Sequence, residues 1–204
     1  MNRPGLLLLL VFTLFTISSN AQDSSKLYFT TSAGLFSPVS SFSKAYRNSL
    51  ALNSGIEYRF SKHYFAQFVL DFNTVKYDQQ IKDANSSYLF QHTNSSVFLA
   101  GLNAGRNIPI SRSGDLFLSP YIGFGYANIG EPRLIVDNNI GIIEQEVTRM
   151  QGIFARQGLR IAYRTKSKVL QTLYVDASFF SANVHVQDSR PRAISLLAGT
   201  RFGF

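Results

Sequence analysis

The sequence predicts an all-β protein, an eight-stranded antiparallel up-and-down transmembrane β-barrel with long extracellular hairpins. Three observations carry this prediction. Apolar residues alternate with small or polar residues, with a period of two, in eight segments that each suit a tilted membrane-spanning strand of about ten residues. The connections between the segments alternate between short and long, and aromatic residues gather near the ends of the apolar faces. Both features are typical of barrels in a lipid bilayer.

The eight predicted strands are separated by alternating connections. The strands span residues 27–36, 50–60, 64–72, 96–105, 116–126, 153–163, 173–180 and 193–204. Short connections lie near residues 61–63, 107–115 and 165–168, and long ones near 37–49, 76–94, 130–148 and 181–192. Proline and glycine occur in several connections, as turn chemistry requires. Consecutive strands therefore pair as antiparallel neighbours.

The N-terminus has the pattern of an export signal. Arg3 precedes an apolar run over residues 6–17, and Ser19, Asn20 and Ala21 form a small-x-small cleavage site. Polar residues follow at once, so an uncleaved membrane anchor is the weaker alternative. We therefore expect residues 1–21 to be a cleaved signal peptide and residues 22–204 to be a single barrel domain.

Composition excludes several classes of protein. The chain has 20 Lys and Arg against 12 Asp and Glu, a net charge of +8, without any clustered nucleic-acid signature, so we expect no nucleic-acid partner. Because it has no cysteine, it has no disulfide framework and no thiolate metal site. No set of His, Asp and Glu has metal-ligand spacing, so the sequence predicts neither a metal nor another cofactor.

The composition of the two strand faces indicates which one meets lipid. The face opposite the apolar one is rich in glycine, which suits the crowded interior of a narrow barrel and weakens a solvent-facing strand. Aromatic residues such as Tyr58, Phe60, Tyr64 and Tyr163 flank the short turns. An apolar band between two aromatic girdles is the outer surface of a membrane barrel. The apolar faces are therefore predicted to face lipid.

The chain ends "LLAGTRFGF", and the alternation continues to the last residue. Gly199, Phe202 and Phe204 match the closing-strand signature of the small OmpA/OmpX-type outer-membrane barrels of Gram-negative bacteria, which this sequence resembles. Leu197 stands where that signature has a polar residue. The resemblance implies the outer-membrane protein β-barrel domain, location in the cell outer membrane, folding by the barrel assembly machinery, and contact with outer-membrane lipid and lipopolysaccharide. OmpA-like proteins anchor to the cell wall through a C-terminal periplasmic domain, which we do not expect here because the sequence ends at Phe204.

Facing the apolar sides toward lipid turns seven charged residues into the lumen. They are Glu57, Arg59, Asp71, Arg156, Arg160, Asp176 and Arg201. Buried charges require partners, so we expect Arg156 and Arg160 to pair with Asp176, and the whole set to form an ion-pair plug. A narrow porin-like conduit is the alternative, although eight strands leave room for little more than side chains.

The loops favour recognition over catalysis. The hairpins around residues 76–94 and 130–148 contain strand-like sequence, which predicts one protruding four-stranded sheet for an extracellular protein partner. Long loops that only shield the mouth of the barrel are the equal alternative. A lipid A-modifying enzyme is the less favoured class, because Asn94 stands two residues after His92 where a deacylase has serine. We expect no catalytic residues. The sequence thus predicts a non-enzymatic barrel with a structural or surface-recognition and adhesion role.

Overall fold

A computed structural model describes residues 27–61, 63–78, 92–137, 142–167, 169–186 and 189–203. It contains nine strands and one short 3-10 helix, at Ser40–Lys44. The strands are β1 (Leu27–Pro38), β2 (Ser49–Arg59), β3 (Tyr64–Tyr77), β4 (Thr93–Arg106), β5 (Ile108–Pro109), β6 (Leu116–Asp137), β7 (Ile142–Arg164), β8 (Leu170–Ala182) and β9 (Arg192–Gly203). No helix in this part of the chain has both the length and the apolar content needed to cross a membrane.

The strands close into a barrel. Each long strand pairs antiparallel with its neighbours, β4 pairs with β6, and β1 pairs with β9 in register Tyr28 to Gly203. The two-residue strand β5 lies in the short connection between β4 and β6 and only extends the edge of β6. Eight strands therefore form the closed wall, and the predicted fold class is confirmed.

The alternation in the sequence separates the two surfaces of the wall. Apolar side chains such as Ile122, Phe124 and Leu50 point outward and are 71%, 69% and 62% exposed in the protein alone. The alternate residues point into the lumen, where Glu57 and Arg201 are buried. Such a surface would be unstable in water over so large an area, but it matches a hydrocarbon environment.

Glycines on the inner face let aromatic rings lie flat against the wall. A Cβ at Gly158 would overlap Cζ of Tyr121, and one at Gly199 would stand 2.6 Å from Cζ of Tyr174. Real Cβ atoms essentially never come this close to another atom, so a larger residue at either position would have to displace the ring. The small inner residues seen in the sequence therefore provide space for the rings that project into the narrow lumen.

The end of the barrel that carries the long connections is uneven. β6 and β7 continue together as far as the pair Asp137 and Ile142, whereas the pairing between β4 and β6 ends at Val97 and Ile129. The predicted long hairpin is therefore present in β6–β7, and we call its part beyond Ile129 the ribbon. The tip of the other hairpin, residues 79–91, lies outside the described residues.

The predicted single four-stranded sheet is wrong for the described residues, because β4 and β6 separate above Val97. The carbonyl of Gly130 accepts hydrogen bonds from the side chains of Tyr46 and Ser95, at 2.7 and 2.5 Å. These side-chain donors occupy the β6 edge where a continued sheet would place the backbone of β4. Two separate hairpins result.

Candidate functional site in the lumen and at the extracellular mouth

The short-turn half of the lumen is organised around one carboxylate. Glu57 on β2 is fully buried and accepts from three guanidinium groups. Its oxygens lie 2.7 Å from Arg201, 3.0 Å from Arg160 and 3.3 Å from Arg59. The Arg59 side chain is partly exposed at the rim, and the other two are buried. Since ionised partners make the strongest hydrogen bonds, Glu57 joins β2, β7 and β9 across the lumen.

Arg160 on β7 is the second centre of the site. Its Nε donates to Asp176 at 3.1 Å and its Nη2 to Gln67 at 3.1 Å, in addition to the contact with Glu57. The guanidinium also lies 4.4 Å from the ring centroid of Tyr174. Asp176 accepts a further bond from the Tyr121 hydroxyl at 2.7 Å. All three nitrogens of the Arg160 guanidinium therefore have hydrogen-bond acceptors, and one face of the group lies against an aromatic ring.

Arg156 has a different partner from the predicted one. It donates to Asp71 on β3, across the barrel, and not to Asp176. The register explains the correction: Asp176 is paired with Arg160, and Arg156 lies four residues further along β7, about 13 Å away at the strand rise. Asp71 also accepts from Asn53 Nδ2 at 2.5 Å.

The seven predicted lumen charges therefore come together as two linked groups. Three acids face four bases, and each acid contacts at least one base. The space left between the groups is a cavity of about 10 Å³ bordered by Asn103, Arg156 and Asp176. A cavity of this size has room for about one water molecule. Buried side chains of both groups line this cavity.

The half of the lumen next to the long connections is apolar, a feature that the sequence did not predict. Aromatic and aliphatic side chains from the wall meet those of the loops, and we call this layer the apolar cap. Its buried members include Phe36, Phe42, Tyr46, Val75, Val97, Leu99, Ile129, Phe154, Phe180, Val184 and Val186. The rings of Phe154 and Phe180 lie 6.4 Å apart, edge to face. The barrel thus has a conventional hydrophobic core above its ionic layer.

The loop between β1 and β2 anchors the apolar cap. Phe42 lies in the 3-10 helix, and its ring stacks on Tyr46 at 4.3 Å. Tyr46 meets Tyr77 edge to face at 4.9 Å and donates to the Gly130 carbonyl. Burial raises the pKa of Tyr46 well above its ordinary value, and Tyr77 and Glu131 raise it further. The neutral hydroxyl is therefore strongly favoured in this loop.

The ribbon presents an open strand edge. Ile153 exchanges hydrogen bonds with Asn183 on the β8 side of β7. By the alternation of an antiparallel strand, Gln151, Arg149 and Val147 point their backbone groups the same way. Within the described ranges no strand pairs with this side of β7 beyond Phe154. The edge offers main-chain donors and acceptors to an extended segment.

The two described histidines that were considered as catalytic candidates, His92 and His63, lie at opposite ends of the barrel. His92 lies exposed just before β4, and His63 lies in the short turn between β2 and β3 at the other end. Among the described residues, no three of His, Cys, Asp or Glu stand close enough to hold a metal ion. The arrangement that the chain does build is a network of ion pairs.

The predicted assembly signature is only partly described. Gly199 faces the lumen beneath Tyr174, and Phe202 on β9 lies opposite Phe29 on β1, with ring centroids 6.5 Å apart. Phe204 and the predicted signal peptide, residues 1–21, lie outside the described residues. The two described positions belong to the seam that closes the barrel.

An exposed apolar exterior and eight closed antiparallel strands define an eight-stranded barrel with the fold of the small OmpA/OmpX-type proteins. The chain is similar to Neisserial surface protein A, with 15% identity, a TM-score of 0.53, and coverage of 90% of this chain and 100% of that one. This likeness shows the fold. No protein-family model and no curated protein sequence matches the chain.

Two other solved structures resemble the chain less closely in space. Ail, the attachment invasion locus protein of Yersinia pestis, solved in complex with the heparin analogue sucrose octasulfate, has 16% identity and a TM-score of 0.46, over 87% of this chain and 99% of that one. The N-terminal β-barrel domain of Pseudomonas aeruginosa OprF has 13% identity and a TM-score of 0.45, over 87% and 98%.

Proposed function

We propose that the protein is a non-enzymatic barrel of the cell outer membrane with a plugged lumen, which acts in surface recognition through its ribbon. The observation that carries this proposal is the combination of an ionic layer and an apolar cap in one lumen, beneath a hairpin with an open edge. We also propose export by a cleaved signal peptide at residues 1–21, and insertion by the barrel assembly machinery reading Gly199, Phe202 and Phe204.

Contact with lipopolysaccharide fits the charge of the outer surface. Lys76, Arg149 and Arg192 are exposed cations at the extracellular end of β3, β7 and β9, on the outward sides of these strands. Cations at this level complement anionic headgroups. Replacing all three with glutamine should weaken retention of lipopolysaccharide during purification, and unchanged retention would contradict this part of the proposal.

The topology can be tested on intact cells. Short epitope tags at Asp83 and Asn138 should be reachable by antibody from outside, because both positions lie in long connections. A tag at Lys166, in a short turn, should be reachable only after the outer membrane is permeabilised. Labelling of Lys166 on intact cells would reverse the proposed orientation.

The plug can be tested in planar lipid bilayers. We expect negligible conductance from the wild-type barrel, because an ion would have to cross both buried ion pairs and an apolar layer. Arg156→Ala alone should also remain silent, since Phe154 and the rest of the apolar cap remain above it. Stable single channels from wild type, with ion selectivity changed by Arg156→Ala, would support the porin-like conduit instead.

The recognition role can be tested through the edge of the ribbon. Arg149→Pro removes one backbone N–H from the open edge of β7 and leaves the pairing with β6 intact, since proline is tolerated at edges. The matched control, Arg149→Ala, removes the same charge and keeps that N–H. Linear peptides selected on the wild-type barrel should lose binding to Arg149→Pro and keep it with Arg149→Ala. Binders that tolerate the proline would argue against recognition by strand addition.

A further inference from the structure

In the described strands, the outward face of the barrel carries charges of one sign only. Among the described strand residues that share the outward side, four are cations and none is an acid. Three of them, Lys76, Arg149 and Arg192, lie at the extracellular end. The fourth, Arg106, is the last residue of β4 and lies alone at the short-turn end. Its position calls for a separate account.

The guanidinium of Arg106 lies over one ring of an aromatic pair. Arg106 is the register partner of Tyr64 on β3, and its Cζ lies 5.7 Å from the centroid of that ring. Tyr64 in turn stacks on Phe60, with centroids 6.2 Å apart and planes 4° from parallel. Both rings are about half exposed, and Arg106 is exposed. No acidic group of the described chain forms an ion pair with Arg106.

A guanidinium held over a ring keeps its N–H edges available for an anion. At the level of an aromatic girdle, a long cationic side chain extends toward the lipid headgroups. The group within reach there that matches a planar donor fork is a phosphodiester. A carboxylate of the protein would serve equally well, but the described chain places none beside Arg106.

We propose that Arg106, with the rings of Tyr64 and Phe60, binds the phosphate of an anionic phospholipid in the periplasmic leaflet. The rings cover the glycerol and upper acyl region while Arg106 contacts the phosphate. The proposal rests on the membrane placement and orientation proposed above, because these put the short turns in the phospholipid leaflet. Beyond that membrane placement, it specifies the class of lipid that is bound and the residues that bind it.

The test uses the full barrel in nanodiscs that contain phosphatidylglycerol and phosphatidylcholine of the same acyl chains. Native mass spectrometry of the released barrel counts the lipids retained. We expect wild type to retain phosphatidylglycerol preferentially and Arg106→Gln to reduce that preference about fivefold, the effect of one basic residue near an anionic surface. Added salt should reduce the wild-type preference in the same direction.

Two variants separate a specific site from general charge. Arg112→Gln removes an exposed arginine from the short turn that follows Arg106, at a position with no ring contact among the described residues, and should reduce the preference much less than Arg106→Gln does. Arg106→Lys keeps the charge and should retain part of the preference. Equal preference in wild type and Arg106→Gln would overturn the lipid site. Failure of the barrel to enter nanodiscs at all would instead contradict the proposed membrane function.

Discussion

Replacing Glu57 with glutamine should be the most damaging single change of charge in the lumen. The substitution keeps the shape of the side chain and removes the negative charge that Arg59, Arg160 and Arg201 share. The three arginines are not equally affected by the loss of this charge. Arg59 is partly exposed at the rim, and Arg160 keeps Asp176, but Glu57 is the only carboxylate that Arg201 contacts among the described residues.

The expected loss in the free energy of unfolding is set by Arg201, which is left without a carboxylate. An uncompensated buried charge costs about 3–5 kcal/mol when its partner is removed, and Arg201 is 1% exposed. Asp176→Asn should cost less, about 1–3 kcal/mol, because Arg160 keeps its contact with Glu57. The matched control is Glu146→Gln, an exposed change of the same type in the ribbon, which should stay within about 0.5 kcal/mol.

The assay is urea-induced unfolding of the barrel in lipid vesicles, followed by circular dichroism because the chain has no tryptophan. The double variant Glu57→Gln/Arg201→Gln should recover part of the lost free energy, since it no longer leaves a buried arginine without its carboxylate. If Glu57→Gln unfolds at the same urea concentration as Glu146→Gln, the buried ion pairs do not stabilise the barrel and the ionic layer is not what holds the lumen together.

Three further outcomes test other parts of the structure. Gly158→Ala should cost about 1–3 kcal/mol by displacing the Tyr121 ring, whereas Gly203→Ala meets only the flexible end of Gln171; equal urea midpoints would refute the ring-packing argument. Because the pKa of Tyr46 is raised in the folded protein, its stabilisation of the loop should be complete below the ordinary tyrosine pKa of about 10 and lost as the pH rises through the higher folded value. Limited proteolysis of that loop across alkaline pH should show this, and Tyr46→Phe should lack the Tyr46-dependent step. Phe202→Asp should lower the amount of folded barrel in outer membranes and Phe202→Leu should not, as measured by heat-dependent mobility on gels.

The wall of the barrel was predictable because its signal is local. Each strand repeats the contrast between lipid and lumen every two residues, so Ile122 outside and Glu57 inside could both be assigned without knowing the partners of their strands. The contacts between charges were less predictable, because they depend on the stagger of the closed sheet. The sequence placed Arg156 and Asp71 on the inner face, but only the register shows that they meet across the lumen.

The apolar cap was missed for a different reason. Its members on the wall, such as Leu99 and Phe154, alternate with outward residues that are also apolar, so the two faces of those strands look alike. Its members from the loops, Phe42 and Tyr46, lie in a connection without a periodic pattern. The aromatic residues of that connection were a weak indication, because large rings are more often buried than exposed in a loop.

The seam between β1 and β9 has a consequence for how the protein assembles. Tyr28 and Gly203 are neighbours in the sheet but lie at opposite ends of the described chain. Because the entropic free energy of loop closure grows with the logarithm of the loop length, bringing these residues together costs roughly 3 kcal/mol more than closing a four-residue hairpin. Until that seam forms, two full strand edges remain unsatisfied, and hydrocarbon offers them no hydrogen bonds. A half-built sheet is therefore poorly stable inside a bilayer, so we expect insertion and closure to occur as one concerted event.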